Sequence, residues 1–222
     1  MKNLLMLGLS IVISSAIIQK TLAESNQPGD LRLVFEDDFE KGRSRWQTTD
    51  DAAWSLHDND NGKAFGLNKK ISDYTPKFRS PHNIALIKGI EVADFVLTFE
   101  VKSTKDSGVH RDCCIFFNYQ DPTHFYYVHL GARPDPHSGQ IMIVNNAPRV
   151  SMTENEKPVR WDNAWHKVKL VRNTQQGLIE VYFDDMKKAH MSVVDKTFGK
   201  GQIGIGSFDD LNDFDNIKLW GK

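Results

Sequence analysis

The chain has 222 residues, with 28 basic and 29 acidic side chains, a formal charge of −1 and two cysteines. Charges of both signs are evenly mixed, with no basic stripe for nucleic acid and no polybasic cluster for a membrane surface. Cys113 and Cys114 are adjacent, and neighbours on a strand point to opposite faces. They therefore read as two small buried hydrophobes rather than as a disulfide framework, with a vicinal or intermolecular bridge as the alternative.

In chain order, the first element is a leader. Lys2 is followed by an apolar run over residues 4–18, and Thr21-Leu22-Ala23 supplies small residues for cleavage. This is the three-part pattern of a secretory signal, so residues 1–23 are expected to be removed and the mature chain exported to the periplasm or beyond. The run is about 15 residues, short of the roughly 20 that cross a bilayer as a helix. No later stretch is longer, so no membrane span is expected in the mature chain. Residues 24–222 are expected to form one domain, a length ordinary for a large β-sandwich.

A first strand over 31–35 runs into the acidic Glu36-Asp37-Asp38. Residues 95–101 (Phe-Val-Leu-Thr-Phe-Glu-Val) predict a strong strand. Strand, turn and strand follow over 113–119, 120–123 and 125–130, and another strand over 140–144. From Trp165 the rhythm is regular, with strands at 166–171, 178–183, 188–193, 201–207 and 214–220. No stretch holds a helical period over four turns. An all-β, antiparallel two-sheet sandwich of about a dozen strands is the expected fold.

The last sixty residues carry a family signal. Trp161 and Trp165-His166-Lys167-Val168-Lys169-Leu170, then Gly177 to Asp185, Gly201-Gln202-Ile203-Gly204-Ile205-Gly206 and Phe214-Asp215-Asn216-Ile217 resemble concanavalin A-like lectin/glucanase domains. The middle of the chain, from Phe78-Arg79-Ser80-Pro81 to Pro148-Arg149, is similar to an uncharacterised secreted bacterial branch near laminin-G-like and 3-keto-disaccharide-hydrolase-like domains. The resemblance implies a concanavalin-like jelly roll whose last strand lies beside the first. It also implies carbohydrate, most readily a polysaccharide, as the partner. Lectins, binding modules, hydrolases and lyases share this scaffold, so an enzyme and a non-catalytic lectin-like or structural module both remain open. Many relatives hold a structural calcium where first and last strands meet, which points to Asp37, Asp38 and Asp215. No organic cofactor is expected.

The site candidates come from the middle strands. Alternation puts Tyr127 and His129 on one face, with Arg111 on the preceding strand and Asn146 and Arg149 on the next hairpin. A His or Tyr base, a Tyr acid and an Arg that neutralises a uronate carboxylate are the parts of β-elimination in polysaccharide lyases. On that reading His129, Tyr127 and Arg111 are catalytic, while Arg149, Asn146, Asn118, Asp112 and His110 bind substrate. The competing reading makes Tyr127 and His129 polar residues satisfied within the sheet, and Arg111–Asp112 a buried ion pair. His110-Arg111-Asp112 with Asn118 is not a kinase catalytic loop, because the spacing is one residue too long and no Gly-rich loop precedes it. The paired carboxylates of a retaining glucanase on one strand are missing, as are Gly-x-Ser-x-Gly and a zinc-spaced His set. Among the aromatics, Trp165 and Trp220 read as core, and Trp54 and Tyr74 as open to either role.

Overall fold

Two strand patterns, one alternating and one continuously apolar, build the fold of residues 30–59 and 62–222, which are those the computed structural model describes. The expected leader lies outside the described residues. In chain order the strands are β1 (Arg32–Asp37), β2 (Trp46–Thr48), β3 (Trp54–Asn59), β4 (Gly62–Leu67) and β5 (Asn83–Val92). Next come β6 (Phe95–Ser103), β7 (Cys114–Asp121), β8 (His124–His129), β9 (Ile141–Asn145) and β10 (Val150–Ser151). The last five are β11 (His166–Asn173), β12 (Leu178–Phe183), β13 (Met191–Val194), β14 (Gly201–Ser207) and β15 (Asn212–Gly221). One sheet runs β13-β12-β11-β6-β15-β4-β3, with β1 also paired to β15; the other runs β10-β9-β8-β7-β14-β5-β2. All strand pairings are antiparallel. The unit Leu31–Lys222 is thus a two-sheet jelly roll in which first and last strands are neighbours, as expected.

The first sheet is amphipathic. In β11 every second residue is buried, so His166, Val168, Leu170 and Arg172 face inward while Lys167 is exposed. Its register against β6 sets Leu170 opposite Leu97 and Val168 opposite Phe99. In the second sheet β7 and β8 are buried on both faces. Ile115, Phe117, Tyr126 and Val128 join the core between the sheets, whereas Phe116, Phe125, Tyr127 and Met142 belong to a separate apolar layer on the outer face. Each such side chain contributes about 1.5–3 kcal/mol when fully buried, so the outer layer is a substantial second core. The long connection 68–82 reaches it at Arg79, whose carbonyl accepts from the Arg149 N–H at 3.1 Å. Phe208 packs on the same layer.

Cys113 lies in the inner core and Cys114 in the outer layer, both free thiols, in agreement with the alternation argument. Two details differ from expectation. Trp165 and Trp220 are only half-buried, while Trp46 and Trp54 are core residues at 3% and 2% exposure. The strand number is also higher, because β2, β3, β4, β5 and β10 carry too few β-branched residues, or too little alternation, to stand out alone.

The inner core encloses one arginine. Arg172 donates from Nε to Asn118 Oδ1 (3.2 Å), from Nη1 to the Asp195 carbonyl (2.9 Å) and from Nη2 to the Phe198 carbonyl (2.9 Å). Asn118 sits at φ 44° in a β7 bulge and donates its amide to the carbonyls of Val92 (3.3 Å) and Gly199. A tertiary staple replaces regular pairing there. On the first sheet, His57 lies 2.5 Å from Asp213 Oδ1 through Nδ1 and 2.9 Å from Asn68 Oδ1 through Nε2. Gly66 makes room for this pair, since a Cβ there would stand 2.1 Å from Asp213 Oδ1 and 2.3 Å from His57 Nδ1.

Candidate functional site

A cleft of about 550 Å³ opens at the end of the second sheet, where β7 begins, β8 ends and the 131–139 loop folds back. His110, Arg111, Asp112, His129 and Arg149 all line it, together with Arg79, Arg133, Asp135, His137, Phe208 and Asp209. The structure therefore brings together five of the eight expected site residues. The other three lie elsewhere. Asn118 belongs to the Arg172 staple. Asn146 caps the far end of the sheet at φ 52°, its amide 2.7 Å from His124 Nε2. Tyr127 is fully buried in the outer apolar layer beneath the cleft and is not part of its lining. Strand alternation set Tyr127 and His129 on one face correctly, but at Tyr127 that face is closed within the outer apolar layer, against which Phe208 packs. Burial pushes the Tyr127 phenol well above its ordinary value, and its hydroxyl has no hydrogen-bond partner.

Arg111 and Asp112 are both buried but face different partners, so they do not form the ion pair that their adjacency suggests. Arg111 donates from Nη2 to Asn163 Oδ1 at 2.6 Å and stands 3.5 Å from Asp106. Asp112 Oδ1 accepts from Ser207 Oγ (2.7 Å) and from the Phe208 N–H (3.0 Å), and Oδ2 lies 3.6 Å from His129 Nε2. Burial acts to raise the Asp112 carboxyl, but the His129 imidazole and these donors outweigh it and hold it near 2. Burial, reinforced by the Asp112 charge, pushes the neighbouring Asp209 carboxyl up. His129 Nδ1 is 3.0 Å from the His137 carbonyl. An N–H there donates to that carbonyl, and the ring stacks on Phe208 with centroids 6.0 Å apart and planes at 13°.

The positive charge of the cleft is largely uncommitted. Among the described residues, Arg79, Arg133 and Arg149 form no ion pair within 4 Å. Arg149 lies 4.5 Å from the Phe208 ring centroid as a cation–π contact, and its Nε and Nη1 atoms are buried without partners. Arg79, Arg133, His137 and Phe208 were not expected from sequence. They come from loops, where periodicity is silent. The one available cue was isolated arginines among turn formers, in Arg79-Ser80-Pro81 and Arg133-Pro134.

The acids expected to hold calcium do converge where β1 meets β15. Asp37 is nevertheless committed to structure, its Oδ2 accepting from Trp46 Nε1 (3.0 Å) and its Oδ1 from the Phe39 N–H (3.1 Å). Asp215 is buried, and burial first, then the charges of Glu100 and Asp38, push its carboxyl up. Among the described residues, these three acids do not form a group with ligand atoms all within 4.8 Å of one another.

No protein-family model matches the chain, and no curated protein matches it in sequence. Solved structures do match in fold. A carbohydrate-binding module, CBM66, from Bacillus subtilis aligns at a TM-score of 0.58 with 18% identity, over 80% of this chain and 96% of that one. The β-glucanase of Bacillus licheniformis aligns at 0.52 with 17% identity, over 88% and 100%. The winged bean acidic lectin, complexed with methyl-α-D-galactose, aligns at 0.53 with 12% identity, over 85% and 97%. The sandwich is the concanavalin A-like lectin/glucanase fold.

Proposed function

We infer that this concanavalin A-like sandwich binds an acidic carbohydrate through the rim cleft. The carrying observation is that Arg79, Arg133 and Arg149 border the cleft without a carboxylate partner. Guanidinium groups pair with carboxylates and sulfates in a forked geometry that ammonium groups do not match. The half-buried ring of Phe208 offers an apolar face beside them. Carbohydrate as the class is supported by the fold, whose similar structures include a carbohydrate-binding module and a lectin. Export, which the leader pattern suggests, would bring the chain to envelope or extracellular polysaccharide.

Binding without turnover is the reading this geometry favours over a lyase. His129 and Arg111 stand at the cleft wall, but Tyr127, the expected proton donor, is buried in the outer apolar layer and outside the lining. The test is calorimetry of the purified protein against a uronate polysaccharide, a sulfated one and a neutral glucan. Micromolar or tighter binding to an acidic polymer, weakening with salt, is expected, with no retention of the neutral glucan. Equal binding of acidic and neutral polymers would refute the cationic cleft. Ultraviolet absorbance from unsaturated uronate products would replace the binding reading with the lyase.

A further inference from the structure

The wall of the cleft also brings together three side chains of a different chemistry. Asp112, Cys114 and His129 place one carboxylate oxygen, Sγ and one imidazole nitrogen within 4.8 Å of one another, and all three residues are buried. Strand register explains why. Cys114 opens β7 directly opposite His129 at the end of β8, both on the outer face, and Asp112 lies two residues before Cys114.

We propose that Asp112, Cys114 and His129 form a binding site for a borderline-soft divalent cation of the Zn²⁺ type. Three features support it. His129 Nδ1 meets the His137 carbonyl at 3.0 Å, which fixes the ring with Nε2 turned toward Asp112. A carbonyl accepting from the far ring nitrogen in this way is characteristic of metal-bound imidazoles. Next, Nε2 and Asp112 Oδ2 are 3.6 Å apart, too long for a hydrogen bond. Two donors bonded to one tetrahedral ion at about 2.1 Å stand roughly 3.5 Å apart, so that separation already fits. Finally, the Cys114 thiol donates to nothing among the described residues. A mixed N, O and S donor set selects Zn²⁺ or a similar transition ion, because Ca²⁺ and Mg²⁺ take oxygen ligands.

Asp112 is oriented independently of any ion by Ser207 Oγ and the Phe208 N–H on Oδ1, while Oδ2 accepts from the Asp209 N–H at 3.3 Å and is the oxygen turned toward His129. The cleft reaches Asp112 and His129, leaving the fourth coordination position open to water or to a bound molecule, the layout of an open rather than a closed zinc site. Binding releases the Cys114 proton, since the thiolate is the ligand. The site does not depend on the acidic-sugar reading, which rests on the arginines.

The test uses the whole protein with the metal alone. After equilibration with Zn²⁺ and dialysis, elemental analysis should give one equivalent per chain. Loading with Co²⁺ instead should produce visible d–d bands and a thiolate-to-cobalt charge-transfer band in the near ultraviolet. Cys114→Ser should remove the charge-transfer band. His129→Gln should weaken binding at least 100-fold, while Cys113→Ser, on the inner face, should change neither signal. Circular dichroism and thermal midpoints establish that each variant is folded. Substoichiometric zinc in the wild type, or cobalt spectra unchanged in folded Cys114→Ser, would overturn the proposal. Polysaccharide binding measured in chelator-treated protein keeps the two readings separate.

Discussion

Arg172 and Arg149 are both drawn inward, yet their surroundings differ. Arg172, in β11, is 2% exposed and meets the amide oxygen of Asn118 and backbone carbonyls, with the Tyr126 ring 5.5 Å away. Arg149, at the cleft, rests on Phe208 and leaves Nε and Nη1 buried without a partner. Buried polar groups are nearly always satisfied, and the exceptions need a reason. A guanidinium fully bonded to carbonyls staples two sheets. One held mainly by a ring at the wall of a cavity keeps its charge available to an incoming ligand.

Substitutions can break this contrast, and the largest effect belongs to the staple. Arg172→Ala leaves at least three acceptors unpaired inside the core and opens a cavity, at a cost of about 3 kcal/mol or more. Differential scanning calorimetry should record a midpoint lower by roughly 6–12 °C, with polysaccharide affinity of the remaining folded protein unchanged. A shift under about 3 °C would show that Arg172 does not staple the sheets. Arg149→Ala should reverse the pattern. Its midpoint should stay within about 2 °C of wild type, and calorimetry should show affinity for an acidic polysaccharide reduced about 10-fold or more. Unchanged affinity would move the ligand away from this side of the cleft.

The smallest effect tests a third cation, His57. Burial lowers its pKa, but the bonds to Asn68 and Asp213 outweigh burial, so the net shift is upward from 6.5. Both ring nitrogens face acceptors, which favours the imidazolium. A histidine whose folded pKa is raised contributes stability fully below its unfolded value, near 6.5, and loses it as pH rises through the higher folded value. The midpoint difference between wild type and His57→Gln should therefore shrink between pH 6 and pH 8. The effect is small, roughly 0.5 kcal/mol, because the pair is partly solvated. A pH-independent difference would rule out the charged pair.

The sequence revealed the fold well and the site only partly, for reasons visible in particular residues. Strands such as Phe95–Ser103 and His166–Asn173 announce themselves through β-branched and aromatic residues in alternation. The β3–β4 hairpin does not. Asp58-Asn59-Asp60-Asn61-Gly62 reads as a polar turn without revealing that the strand after it, β4, pairs with β15. Periodicity assigned Tyr127 and His129 to one face, but whether a face is open is decided by what crosses it. Here the connection before β5 contributes, its Arg79 carbonyl bonded to the N–H of Arg149 some seventy positions later, beyond the reach of any local pattern. The metal candidates show the same limit. A search for histidines at fixed spacing cannot find a carboxylate, a thiol and an imidazole joined across two strands.

The position of β15 carries a consequence for how the chain reaches this state. The final strand is not at an edge: it pairs with β1, β4 and β6 in the interior of its sheet. Such long-range pairings must pay loop-closure entropy before contacts stabilise them, which makes folding slow. Until residues 212–221 are available, β1, β4 and β6 lack their common partner and present unpaired edges. A nascent chain therefore cannot complete the first sheet before residues 212–221 have emerged, and deleting them removes the seam of that sheet rather than its fringe.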